Sequence, residues 1–323
     1  MPSHKPVSAE DKVCILIPTY CRPAGLRAAI ESLFLKSAIA PHVRIVVVDN
    51  NPEATEEGSV AKLSKEFSHE IEYIHEPNSG LSNARNAAMS AVGDSRFVAF
   101  LDDDMTVSTH WLSALIETSK SYNAGLVFGP TYAVMPQKDD LKNRYMEPFF
   151  ERVIDKADDG ITQDLLGTGG CLLDLKHCNL PNPPFNPDYN EKGGEDDIFF
   201  DHLKQTGTLV AWSTKAISYE MVPASRATSD YIWKRNFGYG QGPVRIHASR
   251  GVKGISGIVY FMITGALQLL VYGPNLIARI VLNRPSQTKY LALTARAVGK
   301  IFWSDKLSPL LYGKSKTQNL PTT

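Results

Sequence analysis

Three consecutive aspartates, Asp102, Asp103 and Asp104, end the apolar run RFVAFLDDD, and a second acidic cluster, Glu195-Asp196-Asp197, closes the proline-rich stretch PNPPFNPDYNEKGGEDD. Adjacent carboxylates repel one another and are costly to take out of water. A triplet at the end of a buried strand therefore calls for a compensating charge. Mg²⁺ or Mn²⁺ fits, because these ions prefer oxygen ligands and bind through one or two carboxylates plus substrate phosphates. Such a cation also stabilises the charge growing on a departing phosphate. A separate acidic cluster at a helix start suits general-base work, since the helix dipole favours the ionised form there. Plainer readings stand beside both: the triplet can be an acidic turn capping the helix over 109–120, and Glu195–Asp197 can merely cap the helix they precede.

These groups need elements to bring them together. VCILIP (13–18), RIVVVD (44–49), IEYIHE (71–76), RFVAFLDDD (96–104) and AGLVFGPTYAV (124–134) are apolar runs of strand length. Helical spacing or composition separates them at 23–38, 53–67, 79–92 and 109–120. Strands apolar throughout, alternating with helices, predict a mostly parallel sheet covered on both faces. Further on, GTGGCLLDL (167–175) and TLVAW (208–212) read as strands around a helix at 197–207. In open sheets of this kind ligands bind at the carboxyl ends of the strands. There the sequence puts Pro18-Thr19-Tyr20, Asp49-Asn50-Asn51 and Asp102–Asp104. Neither GxGxxG nor GxxxxGK[ST] follows the first strand, which argues against a dinucleotide fingerprint and a P-loop.

The order ILIPTY, VVVDN, SGLSNARNAA, FLDDDM, GGEDD resembles the inverting family 2 glycosyltransferases of the GT-A fold over roughly residues 12–245, and within them the succinoglycan-type exopolysaccharide enzymes. The resemblance implies a nucleotide-diphosphate sugar donor, a UDP-hexose, and a lipid-linked or oligosaccharide acceptor. Carried over by position, Pro18, Thr19 and Tyr20 meet the nucleotide base, Asp49 contacts base or ribose, and Arg85 lies near the nucleotide. Asp102 and Asp104 form the DxD pair, Asp102 toward the ribose and metal and Asp104 on the metal. Asp103, between them, is the member expected to tolerate replacement best. Asp196 is the general base, with Glu195 beside it. A plainer reading leaves Arg85 a solvated helix residue. The processive QxxRW motif is not matched: three residues, not two, separate Gln241 from Arg245 and no Trp follows, which favours one sugar per cycle. The rival reading is a non-catalytic, membrane-associated assembly protein of the same shape.

The balanced charge of 34 basic and 34 acidic residues hides an asymmetry: residues 225–323 carry 14 Lys and Arg but only Asp230 and Asp305. The expected organisation is an N-terminal tail over 1–11, a catalytic domain over 12–224 (nucleotide half 12–134, acceptor half 135–224) and a basic helical extension over 225–323. Residues 136–164 read as a lid or insertion. Residues 255–272 contain no charge, at the lower edge of a membrane span. Ser256, Tyr260, Thr264, Gln268 and Tyr272 form a mildly polar stripe, and Pro274 is expected to interrupt the helix. Basic residues on either side predict membrane contact through 245–284, lying on, dipping into or crossing the bilayer; burial on the catalytic domain is the alternative. Nucleic acid is not an expected partner, because the basic residues surround apolar helices. The four cysteines show no metal spacing, and the polar N-terminus MPSHKPVSAEDK has no apolar stretch. The expected location is the cytoplasmic face of the membrane.

Overall fold

The computed structural model describes residues 7–8, 10–37, 39–40, 42–136, 145–190, 194–284 and 286–309. It divides into two compact units: residues 1–132 with 151–221, and residues 133–150 with 222–323.

The first unit is built on an eight-stranded sheet. β1 (Val13–Thr19) is buried along all of its length, as a strand covered on both faces must be. It pairs in parallel with β2 (Arg44–Asp49) and β4 (Phe97–Phe100), and β2 pairs with β3 (Ile71–His75). Beyond β5 (Met105–Val107), β6 (Leu126–Phe128), β7 (Thr131–Val134), β8 (Gly160–Ile161), β9 (Leu172–Asp174), β10 (Val210–Trp212) and β11 (Ser218–Met221) complete the set. The sheet order is β3-β2-β1-β4-β9-β6-β10-β8, and β5-β11-β7 form a second sheet. The main sheet is mixed: β9 runs antiparallel to β4 and β6, and β8 antiparallel to β10.

Side chains alternate across a strand, and β1 splits the core accordingly. Val13, Ile15 and Ile17 pack on one face with α1 (Pro23–Leu35), α2 (Glu57–Glu66) and α4 (Trp111–Tyr122). Cys14 and Leu16 pack on the other with α3 (Leu81–Ser90) and α5 (Glu195–Gln205). Helix α1 shows why it forms: Pro23 stands in its first turn, and Leu26, Ala29, Ile30 and Leu33 make one buried stripe. All four cysteines are free, and burial pushes the Cys14 thiol up to about 11.

Two strands expected as single runs are divided. The strand over 96–104 stops at Phe100, and Asp102–Asp104 form a turn closed by the Met105 N–H donating to the Asp102 carbonyl at 3.0 Å. The run over 124–134 breaks at Gly129-Pro130 into β6 and β7. Pro130 has no N–H to donate, and Gly129 approaches the Ala216 backbone so closely that a Cβ would fall inside 3.0 Å.

In the second unit α6 (Ser229–Ser249), α7 (Ile255–Val281) and α8 (Gln287–Ile301) pack on one another. Pro274 does not interrupt α7. It stands on an exposed face, and Asn275 Nδ2 donates to the Val271 carbonyl at 2.9 Å, satisfying a backbone acceptor beside the missing bond. Residues 135–136 and 145–150, expected with the acceptor half, belong here because Met135, Met146 and Phe150 pack with Val222, Tyr231, Ile232 and Ala292. Of the expected lid over 136–164, residues 137–144 lie outside the described residues.

Candidate active site

The carboxyl ends of β1 and β4 are neighbours, and between them the three aspartates separate into different environments. Asp103 turns inward. It accepts from Thr19 Oγ1 at 2.9 Å, the Tyr20 N–H at 3.3 Å and Arg22 Nη1 at 2.8 Å. Burial pushes its carboxyl up to about 6 against the pull of Arg22. Asp103, expected to tolerate replacement best, is the aspartate that ties the triplet to β1, which argues against that expectation. Arg22 also donates to Asp104 Oδ2 at 2.9 Å. Burial opposes its charge, but the two aspartates hold the guanidinium above its ordinary value. Pro18 and Thr19 are buried at the end of β1, and Tyr20 is half-buried.

Asp102 faces the other way, with 30 % of its side chain exposed and Arg85 Nη2 at 3.8 Å. Burial of the carboxylate, only partly offset by Arg85 and worsened by Asp104, raises its pKa. Arg85, expected near the nucleotide, is a buried bridge and not a solvated helix residue: its Nη1 donates to Glu195 at 2.5 Å. Its guanidinium lies over the Phe185 ring, 5.5 Å from the centroid. The rest of the SNARN segment holds the proline-rich loop. Ser82 donates to the Asn186 carbonyl, the Asn83 N–H donates to Asn190, and Asn86 exchanges two hydrogen bonds with the Phe185 backbone. That loop leads into α5, whose N-cap Gly194 has φ 91° and whose first turn is Glu195-Asp196-Asp197.

Within this turn Glu195 and Asp196 differ. Glu195 is buried against Arg85; burial and the neighbouring Asp196 raise its pKa. Asp196 is half-buried and accepts the Asp197 N–H on Oδ1 at 3.0 Å, while its Oδ2 lies beside Gly167. The loop Gly167–Cys171 joins the two clusters. A Cβ on Gly167 would stand 3.6 Å from Asp196 Oδ2, and one on Gly169 would fall inside 3.0 Å of Asp102 Oδ2. Asp49 sits at the register position of Thr19, yet it is fully buried and accepts from the Asn51 and Glu56 N–H groups and from Tyr73. Its carboxylate organises the loop after β2.

Three residues went unnoticed in the sequence. Arg22 follows the β1 motif directly, and its position next to a strand end was the available signal. Arg152 and Glu220 carried none. Arg152 pairs with Glu220 at 2.8 Å and donates to the Gly169 carbonyl at 3.3 Å, fixing the glycine loop from behind.

The donor set suits a hard cation. Asp102 and Asp104 offer carboxylate oxygens only, and Asp102 lacks a full counter-charge. Among the described residues no group of three or more His, Cys, Asp or Glu is gathered as a closed cage. Two carboxylates, with phosphates and water supplying the rest, are what Mg²⁺ or Mn²⁺ takes. Among the described residues Thr168 Oγ1 and Arg85 Nε, both buried, have no hydrogen-bond partner, in the same loop-and-helix neighbourhood.

The model of glycosyl transferase family 2 matches residues 14–171. Succinoglycan biosynthesis protein ExoM of Rhizobium meliloti (strain 1021) is 32% identical over 241 residues, 72% of this chain and 74% of its own length. Succinoglycan biosynthesis protein ExoW of the same strain is 38% identical over 106 residues, 32% of this chain and 33% of its own. Among solved structures, S. aureus TarS 1–349 has a TM-score of 0.52 at 13% identity, covering 90% of both chains. GalNAc-T7 with UDP, GalNAc and Mn²⁺ has a TM-score of 0.52 at 13% identity, covering 72% of this chain and 50% of that one. At such identities the structural likeness is one of fold.

Proposed function

The chain belongs to glycosyl transferase family 2, and from that premise we propose that it transfers one hexose per cycle, with inversion, from a UDP-linked donor to a lipid-linked or oligosaccharide acceptor in exopolysaccharide assembly. The observation that carries the reading is the approach of two carboxylate clusters to one glycine loop, Asp102 at Gly169 and Asp196 at Gly167. Single displacement at a sugar carbon needs a base for the acceptor hydroxyl and positive charge for the leaving diphosphate. Asp196, half-buried in the first turn of α5, takes the acceptor proton. Glu195 is a positioning residue: through Arg85 it fixes the turn that carries Asp196. Asp102 and Asp104 would hold Mg²⁺ or Mn²⁺, which would supply positive charge against the leaving diphosphate. Arg22 donates to Asp104 and keeps Asp103 anchored to β1.

The relatives support the pathway, since ExoM and ExoW are named for succinoglycan biosynthesis. GalNAc-T7, of like fold, was crystallised with UDP and Mn²⁺, which supports that donor and cation class. The basic C-terminal helices and free cysteines support work at the cytoplasmic face of a membrane. Asp196→Asn tests the base. Transfer falls by about 10²–10⁴-fold, while calorimetry shows Mn²⁺-dependent UDP binding near the wild-type value. Near-normal turnover in that variant sinks the base assignment, and UDP binding indifferent to Mn²⁺ sinks the cation.

A further inference from the structure

Helix α7 is amphipathic in the opposite sense to a helix on a water-facing domain. The face packed on α6 and α8 is its more polar one: Gln268 accepts from Lys300 at 2.9 Å, Tyr272 meets Tyr290 edge-on, and Gly265 abuts the Ala297 backbone. The outward face carries Val259, Ile263, Leu267, Leu270, Ile277 and Val281, exposed by 48% to 77%. No charged residue lies between Ile255 and Ala278. A helix on a soluble domain turns its apolar stripe to the core, and an exposed apolar surface this continuous marks a contact with a partner or a bilayer. Of the 18-residue apolar window in this segment, 11% is buried.

We propose that α7 lies in the plane of an anionic lipid surface, its Val259–Leu267–Ile277 face among the acyl chains and Arg250, Lys253 and Arg284 at the level of the phosphates. The inference rests on the membrane association proposed above and deepens it. Charge selects the occupant: Arg250, Lys253 and Arg284 are exposed at the two ends of the face, and the last third of the chain has 14 basic residues against two acids. Acidic headgroups satisfy such flanks. A second copy does not, because a two-fold pairing of α7 on α7 brings basic ends onto basic ends in either direction. Length alone permits a span, since 27 residues reach about 40 Å. The neighbours forbid it. Lys300 sits against the middle of α7, and Lys289 and Arg296 lie on the same packed helix, so an upright α7 would draw them into hydrocarbon.

The test floats the full chain with vesicles of phosphatidylcholine alone and of phosphatidylcholine with phosphatidylglycerol. Flotation follows the anionic lipid, and Leu267→Glu/Leu270→Glu lowers it about tenfold or more, with circular dichroism and transfer to a soluble acceptor unchanged. Equal flotation of that variant overturns the role of α7, and a dimer abolished by it assigns the face to a second copy. No flotation at all sinks the membrane reading while leaving sugar transfer untouched. For orientation, fluorophores on single cysteines at Val259, Leu267 and Ile277, with Cys21 and Cys178 replaced by serine, are quenched alike by a shallow lipid nitroxide. A deep centre with shallow ends overturns the flat arrangement.

Discussion

Burial and a guanidinium pull Asp103 in opposite directions, and burial wins: its carboxyl lies at about 6 in the fold against an ordinary 3.8. The folded chain therefore binds that proton more tightly than the unfolded chain. The stability this supplies is complete below about pH 4, falls as pH rises to about 6, and is level above. Asp103→Asn keeps an acceptor for Thr19 and Tyr20 and removes the titration. Urea unfolding at pH 4.5 and 6.5 should show the wild type losing about 2 kcal/mol relative to the variant across that interval; a relative gain would reverse the sign assigned to burial. That an acidic triplet stood at a strand end was legible from FLDDDM. Which aspartate turns inward was not, because Thr19 and Arg22, more than eighty residues earlier, make that choice.

At the scale of elements, the helix over SNARN and the parallel pairing of β1, β2 and β4 were legible, because apolar runs and helical spacing are local signals. The work of α3 was not. Ser82, Asn83 and Asn86 grip residues about a hundred positions away, and Arg85 reaches Glu195. The antiparallel β9 was hidden for a similar reason: three residues carry no direction. It nevertheless sets the glycine loop against the aspartates. Gly169→Ala tests that coupling. Its Cβ would collide with Asp102 Oδ2 and Met105 Sδ, so the Asp102 carboxylate must shift. Mn²⁺-dependent UDP affinity should fall about tenfold, a loss near 1.4 kcal/mol. The control Gly58→Ala meets nothing within 4 Å and should leave affinity unchanged while adding a little stability. Equal affinity in both variants would detach the loop from the metal-binding carboxylate.

Across the whole molecule, charge balance conceals a division of labour. Residues 1–224 hold 20 basic and 32 acidic residues, and the remainder reverses the imbalance. That asymmetry and the apolar stretch were both legible. The direction in which α7 faces was not, because a mildly polar stripe does not say which face packs; Gln268 and Tyr272 meet α8. The two charge regimes predict opposite responses to salt. Raising ionic strength from about 0.1 M to 1 M shortens the screening length from about 10 Å to 3 Å. Contacts of exposed Arg250, Lys253 and Arg284 with headgroups weaken over that range, whereas the buried Arg85–Glu195 pair at 2.5 Å is shielded from it. Transfer to a water-soluble oligosaccharide should therefore stay within about twofold, and transfer to an acceptor embedded in anionic vesicles should fall several-fold. Parallel decline of both activities would show salt acting on the carboxylate site itself. Decline of the vesicle reaction alone would separate catalysis, held by buried pairs, from delivery to the acceptor, held by exposed ones.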